Sequence, residues 1–299
     1  MKELVILSGK GGTGKTSLTA AFASLSEHMI LCDADVDAAD LHLLMEPDVQ
    51  QRTDFVAGNE AVIDPDRCTQ CGLCKDLCRF DAILFDTEPD RFEVDPIACE
   101  GCGVCHDLCP EQAIDFPQKT CGEWYISDTR FGPMVHARLG IAEENSGRLV
   151  ALVRQETQKI VSEKKIDLVL TDGPPGIGCP VIASIGQSSA VLIVAEPTVS
   201  GRHDMERVAR LAAHFKVPAM VCINKYDLNP DQTEAIEAFA GMNDIAVTGR
   251  IPFDPAFTRS MIEKKTVIET DDMSPVSLAI KSVWDRVMEH PAMKMERLV

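Results

Sequence analysis

The strongest constraint on this chain is the string SGKGGTGKTS at residues 8–17, set between the apolar run Leu4 to Leu7 and an alanine-rich stretch that extends to Glu27. Gly9 to Thr16 fits GxxxxGK[ST] in the place the physics requires, after a strand and before a helix. Consecutive backbone N–H groups and the helix N-terminus then face a bound phosphate. A second apolar run, Met29 to Cys32, completes a βαβ unit. From about Thr120 the same rhythm resumes. Apolar strands are expected at 168–170, 190–195, 219–223 and 246–251, with helices around 148–163, 203–215, 231–240 and 276–289. The fold class is α/β, a doubly wound, mostly parallel sheet of the P-loop NTPase type.

Residues 58–117 break that rhythm. IDPDRCTQCGLCKDLCRFDAI from Ile63 and VDPIACEGCGVCHDLCPEQAI from Val94 repeat with a period of 31, so that Cys68 aligns with Cys99 and Cys78 with Cys109. The two copies predict a small α+β module of pseudo-twofold symmetry inserted into the larger domain. The expected boundaries are 1–57 and 118–299 for the nucleotide domain and 58–117 for the insert.

Eight of the 12 cysteines fall in these two runs, each spaced C-x₂-C-x₂-C-x₃-C. In a chain of this length without a signal-peptide pattern, such thiols read as metal ligands rather than disulfides. The spacing is that of bacterial two-cluster ferredoxins, in which the fourth cysteine of each run serves the other cluster. It predicts two [4Fe–4S] clusters, one on Cys68, Cys71, Cys74 and Cys109, the other on Cys99, Cys102, Cys105 and Cys78. Arg79 stands where the second run has Pro110, a departure that removes no ligand. Zinc sites usually pair two CxxC units across a longer gap. His106 reads as a solvated side chain, Cys32 and Cys222 read as small core residues, and Cys121 has no assigned role.

The formal net charge of −18, from 29 basic and 47 acidic side chains, repels nucleic acid and anionic lipid. The insert carries 14 acidic and four basic residues, −10 of that total, so a redox or metal-cofactor partner is expected to present a basic face. No apolar run is long enough to span a bilayer, and AMKMERLV after Pro291 is too short and weakly patterned for an amphipathic anchor. A cytoplasmic protein without a membrane partner is expected.

The string GKGGTGKT, with Lys10 inside the loop, resembles the deviant Walker A family that includes MinD, ParA, Mrp and the nitrogenase iron protein, now with an inserted two-cluster ferredoxin domain. The resemblance implies an ATPase. Gly9, Gly11, Gly12, Thr13, Gly14, Lys15, Thr16 and Ser17 would cradle the nucleotide, with Lys15 on the β/γ-phosphates and Thr16 on Mg²⁺. Lys10 would reach the phosphates of a second copy, which implies a homodimer. In DADVD (33–37), Asp35 matches the aspartate that positions the attacking water, while Asp33 and Asp37 could equally be solvated loop residues. In TDGPPG (171–176), Asp172 matches the aspartate that holds Mg²⁺. Asn224 and the IPFD loop with Pro252 match purine-contacting positions. NKYD at 224–227 also meets the guanine-reading NKxD pattern, which leaves GTP, read by Asp227, as the alternative to ATP.

Such a chain couples nucleotide-driven dimerisation to electron transfer or to metal or iron–sulfur cofactor assembly. The other readings are a MinD/ParA-like positioning switch with sensory clusters and an Mrp-like cluster carrier. Cys179, seven residues after Asp172, matches the spacing of a bridging cluster ligand in the iron protein. Near Ser146 the second ligand has no counterpart, which favours a loop thiol without metal.

Overall fold

The computed structural model describes residues 1–88, 90–140, 143 and 145–294, so the expectation for the chain end lies outside the described residues from position 295. β1 (Lys2–Ser8), α1 (Lys15–Ser24), β2 (Met29–Asp33), α2 (Leu41–Met45) and β3 (Asp48–Asn59) open the chain. The cysteine-rich part holds β4 (Val62–Ile63), α3 (Leu73–Leu77), β5 (Ile83–Asp86), β6 (Arg91–Val94), α4 (Val104–Asp107) and β7 (Ile114–Asp115). Then come β8 (Gln118–Thr129), β9 (Gly132–Leu139), α5 (Ser146–Lys164), β10 (Leu168–Pro175), α6 (Cys179–Ile185), β11 (Ala190–Ala195) and α7 (Val199–His214). β12 (Ala219–Asn224), α8 (Pro230–Met242), β13 (Ala246–Ile251), α9 (Ala256–Ile262), α10 (Val267–Thr270) and α11 (Pro275–Glu289) complete it. Among the described residues no helix is long and apolar enough to cross a membrane.

The chain divides into two compact units. The first comprises Met1–Thr53, Trp124–Arg138 and Ser146–Val299; the second comprises Asp54–Glu123 and Leu139–Asn145. The described strands form a nine-stranded sheet in the order β13-β12-β11-β1-β10-β2-β9-β8-β3, and β13 to β9 are joined by parallel pairs. This is the mostly parallel α/β sheet expected from the apolar runs.

β1 shows why those runs form central strands. Its side chains alternate between two cores. Leu4 and Ile6 face one with Phe22 of α1 and Ile280 of α11; Val5 and Leu7 face the other with Val181 of α6 and Val208 of α7. A strand covered by helices on both faces must be apolar at every position. All four side chains are fully buried, each contributing about 1.5–3 kcal/mol of transfer free energy. Differences from the sequence expectation concern local elements, β3 at Asp48–Asn59 among them, which was not anticipated. The first helix stops at Ser24 rather than running to Glu27, and β8 and β9, which the sequence reading did not anticipate, occupy 118–139.

In the second unit the sequence repeat becomes a symmetric pairing. Ile63 of β4 pairs with Ile114 of β7, and Ile83 of β5 pairs with Val94 of β6, both antiparallel. The start of each copy thus pairs with the end of the other. Symmetry-related backbone bonds repeat it: Asp64 N–H donates to the Ala113 carbonyl and Asp95 N–H to that of Ala82, both at 2.7 Å. Gly72 and Gly103, at φ 77° and 78°, turn the chain into α3 and α4 at matching positions. That left-handed conformation favours glycine.

Candidate functional site

Parallel strands deliver the site residues to one edge of the sheet. Asp172 near the end of β10 pairs with Ile6 of β1 on one side and Asp33 of β2 on the other. The P-loop follows β1 directly, so Lys15 in the first turn of α1 stands among the carboxylates. Its Nζ lies 2.9 Å from Asp172 Oδ1 and 3.2 Å from Asp35 Oδ2. Thr16 Oγ1 donates to Asp172 Oδ2 at 2.7 Å, and Thr19, one turn further, donates to Asp172 Oδ1 at 3.0 Å. Sequence reading missed Thr19; its position four residues after Lys15, on the same helix face, was the available signal.

Asp33 is fully buried, which excludes a solvated loop position. Its Oδ1 accepts the Asp35 backbone N–H at 3.2 Å, while Oδ2 is buried without a partner. Asp37, by contrast, is exposed. Burial, then the Asp172 charge, pushes the Asp33 carboxyl well above its usual range. Burial also raises Asp35, against the pull of Lys15. For Lys15 burial acts downward, but Asp172 and Asp35 outweigh it and hold the ammonium above its ordinary value. The directions share one physical cause: a single ammonium serves three buried carboxylates, and among the described residues Asp33 is the one with no cation in hydrogen-bond contact. The surplus negative charge, the partnerless Asp33 oxygen and the Thr16 hydroxyl make a donor set of oxygens suited to Mg²⁺.

The loop is shaped for a phosphate. A Cβ at Gly11 or Gly12 would meet nothing within 4 Å, so backbone N–H groups there are open to a ligand. Gly14, at φ 91°, holds a left-handed backbone that strains any side chain, and a Cβ there would come within 2.4 Å of Asn224 Nδ2 and displace it. That Nδ2 donates to the Thr13 carbonyl at 2.8 Å, and Asn224 Oδ1 accepts Lys225 N–H at 3.0 Å. Asn224 thus braces the P-loop. Asp227 Oδ1 accepts the Phe253 N–H at 2.7 Å, tying the NKYD segment to the IPFD loop in which Pro252 lies. Ser17 Oγ reaches Met261 Sδ at 3.9 Å.

Lys10 is held within its own chain. Its Nζ lies 3.0 Å from Glu196 Oε2, and Lys225 Nζ lies 2.8 Å from Glu196 Oε1 while also donating to the Gly12 carbonyl at 3.2 Å. Burial alone would raise the Glu196 carboxyl; bonds from Lys225 and Lys10 overcome it and hold it below the usual range. Neither Glu196 nor Lys225 was singled out as a site residue from the sequence.

In the second unit, Cys68, Cys71, Cys74 and Cys109 line one cavity, and Cys78, Cys99, Cys102 and Cys105 line another. Ile63, Phe92 and Ile114 wall the first, and Phe80, Ile83 and Phe116 the second. Cys68 Sγ accepts Gln70 N–H at 3.4 Å and Cys109 Sγ accepts Ala113 N–H at 3.3 Å. Each cavity thus gathers four thiols in an apolar surround, and in the first, two of the sulfurs accept backbone N–H groups. Among the described residues no three His, Cys, Asp or Glu side chains converge to hold a single metal ion. Burial raises Cys74 and Cys105 above the ordinary thiol value. Cys179 opens α6 and is exposed, whereas Cys32 and Cys222 are buried in strands, where burial pushes both thiols up to about 12. The buried Cys121 thiol donates to the Ala57 carbonyl at 2.7 Å, and His106 Nδ1 lies 2.6 Å from the Ile114 carbonyl oxygen.

A glycine loop between a central strand and a helix, facing carboxylates at neighbouring strand ends, defines a P-loop nucleotide-binding protein. Residues 4–267 match the CobQ/CobB/MinD/ParA nucleotide binding domain, and the chain belongs to that family. An uncharacterized protein of Methanocaldococcus jannaschii is 30% identical over 294 residues, 96% of each chain. A second from the same organism is 24% identical over 283 residues, 91% of this chain and 95% of that one. Among solved structures, MinD from Aquifex aeolicus shares the fold at TM-score 0.56 and 21% identity over 97% of this chain and 98% of that chain. MinD from Pyrococcus horikoshii, complexed with Mg-ADP, does so at TM-score 0.55 and 18% identity over 96% and 95%.

Proposed function

We propose that this chain binds and hydrolyses ATP with Mg²⁺, that two copies close around the nucleotide, and that this cycle governs two iron–sulfur clusters in the second unit. The output is electron delivery, or metal-cofactor assembly, on a partner protein with a basic face. The observation that carries the reading is the sorting of eight cysteines into two four-thiol cavities, each completed by the last cysteine of the other run. Strands β3 and β8 continue from that unit into the P-loop unit.

The contacts around Lys15 and Asp172 support the following roles. Lys15 would exchange its carboxylate partners for phosphate oxygens, Thr16 and Asp172 would hold Mg²⁺, and Asp35, released by Lys15, would orient the attacking water. Lys10 leaves Glu196 to meet the phosphates of a second copy. When bound, the clusters supply one-electron chemistry. The chain's own contribution is to hold them in apolar cavities and to carry 14 acidic against four basic side chains over 58–117.

Redox titration of the reconstituted protein with and without a nonhydrolysable ATP analogue tests the coupling. The expected result is a shift in reduction potential or in transfer rate to an acceptor, because a ligand moves an equilibrium only through differential binding. Identical potentials and rates would overturn the coupling and leave a positioning switch, the reading that accords with the printed name of the Pyrococcus horikoshii neighbour, a septum site-determining protein.

A further inference from the structure

At the turn between β8 and β9, the Arg130 guanidinium joins segments far apart in sequence. Nε and Nη2 donate to the two carboxylate oxygens of Glu269 at 2.7 and 2.8 Å, Nη1 donates to the Met45 carbonyl at 3.1 Å, and Nη2 also reaches the Lys264 carbonyl at 3.3 Å. A bidentate, partly buried pair of this kind fixes orientation as well as distance. Lys264 adds an ion pair with Glu46, the residue after Met45, at 2.8 Å.

Each segment leads to the nucleotide or to the second unit. Met45 ends α2, the helix that follows Asp35. Glu269 closes a capping box with Thr266, whose hydroxyl lies 3.5 Å from Ser24 Oγ at the end of the P-loop helix. Met261 of α9 meets Ser17 in the first turn of that same helix. In the other direction, β3 begins at Asp48, just beyond Glu46, and β8 ends at Thr129, immediately before Arg130. Both strands run on into the second unit.

We propose that the Arg130–Glu269 pair is the joint through which nucleotide-dependent movement of the P-loop helix and the segment after Asp35 is passed to β3 and β8, and along them to the cysteine-rich unit. This rests on the proposed function for the existence of two nucleotide-dependent states. Arg130 acts as a positioning residue; it touches neither nucleotide nor thiol.

Hydrogen exchange of the full chain, with and without a nonhydrolysable ATP analogue, tests the joint. In the wild type the analogue is expected to slow exchange over 9–17, and to change it about tenfold over 48–53 and 124–129, within the usual range of coupling between sites. Arg130→Gln is expected to keep the response over 9–17 and lose it over the two strands. Glu269→Gln retains an oxygen to accept the Thr266 N–H, preserving the helix cap, yet removes the charge that holds Arg130. Loss of the strand response in that variant too assigns it to the ion pair rather than to unravelling of α10. A full strand response in Arg130→Gln would overturn the joint alone. A wild-type response confined to 9–17 would overturn both the joint and the coupling part of the proposed function.

Discussion

Lys10 Nζ lies 3.0 Å from Glu196 Oε2 of its own chain, so the lysine proposed to act on a second copy is held in cis before it can act in trans. The pair is partly exposed, and such pairs are worth about 0–1 kcal/mol, a barrier that a phosphate oxygen easily overcomes. Glu196 keeps Lys225 after Lys10 departs. Lys10→Ala is therefore expected to bind ATP as a single chain but to lose nucleotide-dependent dimerisation, with hydrolysis falling about 10³-fold, as for other cations supplied in trans. Light scattering with the ATP analogue and phosphate release measure the two effects. Normal dimerisation and turnover in this variant would remove the trans lysine from the mechanism.

Lys15 faces a different balance, because it is the only ammonium in contact with Asp35 and Asp172 among the described residues. Removing it strips two buried carboxylates of their counter-charge. Lys15→Ala should abolish nucleotide binding and, without nucleotide, destabilise the P-loop unit by about 3–5 kcal/mol. Lower pH should restore part of that loss by protonating the carboxylates. Thermal melts followed by circular dichroism at two pH values report it; a variant as stable as the wild type at neutral pH would show that Lys15 neutralises nothing.

A buried histidine sets a pH dependence away from the nucleotide. Burial, with a smaller contribution from His42, lowers the pKa of His136 from 6.5 to about 4. Its Nε2 lies 2.9 Å from Ser127 Oγ, and its ring stacks on Tyr125 at 4.9 Å. The fold thus holds the neutral imidazole, while the unfolded chain protonates near the ordinary value. This contribution to stability is fully present above pH 6.5 and is lost as pH falls toward 4. From about pH 7.5 to about 4.5 the loss should be about 2–3 kcal/mol. In His136→Gln, which keeps a polar contact to Ser127, urea unfolding should lack this part of the slope. Parallel pH profiles for variant and wild type would refute the assignment.

The residues legible in the sequence were those whose chemistry is contiguous. Lys15 and Thr16 are adjacent in one glycine-loop motif, and Leu4 to Leu7 reads as a central strand because both of its faces are covered. β8 was not legible. Its buried residues Cys121, Trp124 and Ser127 recur every third position, which matches neither strand alternation nor a long helical stripe. Glu196 and Lys225 stand at the ends of β11 and β12 and meet Lys10 only because those strands are neighbours. Asp33 read as an even choice between site and solvent; full burial beside Asp172 excludes the solvated position. Arg130 resembled any charge in a turn until folding brought Glu269 to it.

The pairing of β4 with β7 and β5 with β6 crosses the two cysteine runs, and that crossing yields the sharpest prediction. Because Ile63 faces Ile114, Cys109 falls beside Cys68; because Ile83 faces Val94, Cys78 falls beside Cys99. The reconstituted wild type should carry about eight irons per chain, two clusters of four. Cys68→Ser with Cys109→Ser removes two thiols from one cavity and leaves the other whole, so about four irons should remain. Cys99→Ser with Cys109→Ser takes one thiol from each cavity, and both clusters should be lost or strongly depleted. Uncrossed ligation predicts the reverse, with the second pair of substitutions sparing one cluster and the first sparing none. Anaerobic iron and sulfide analysis, with electron paramagnetic resonance of the reduced protein, separates the two patterns. About one zinc per chain and no reducible signal in the wild type would discard both.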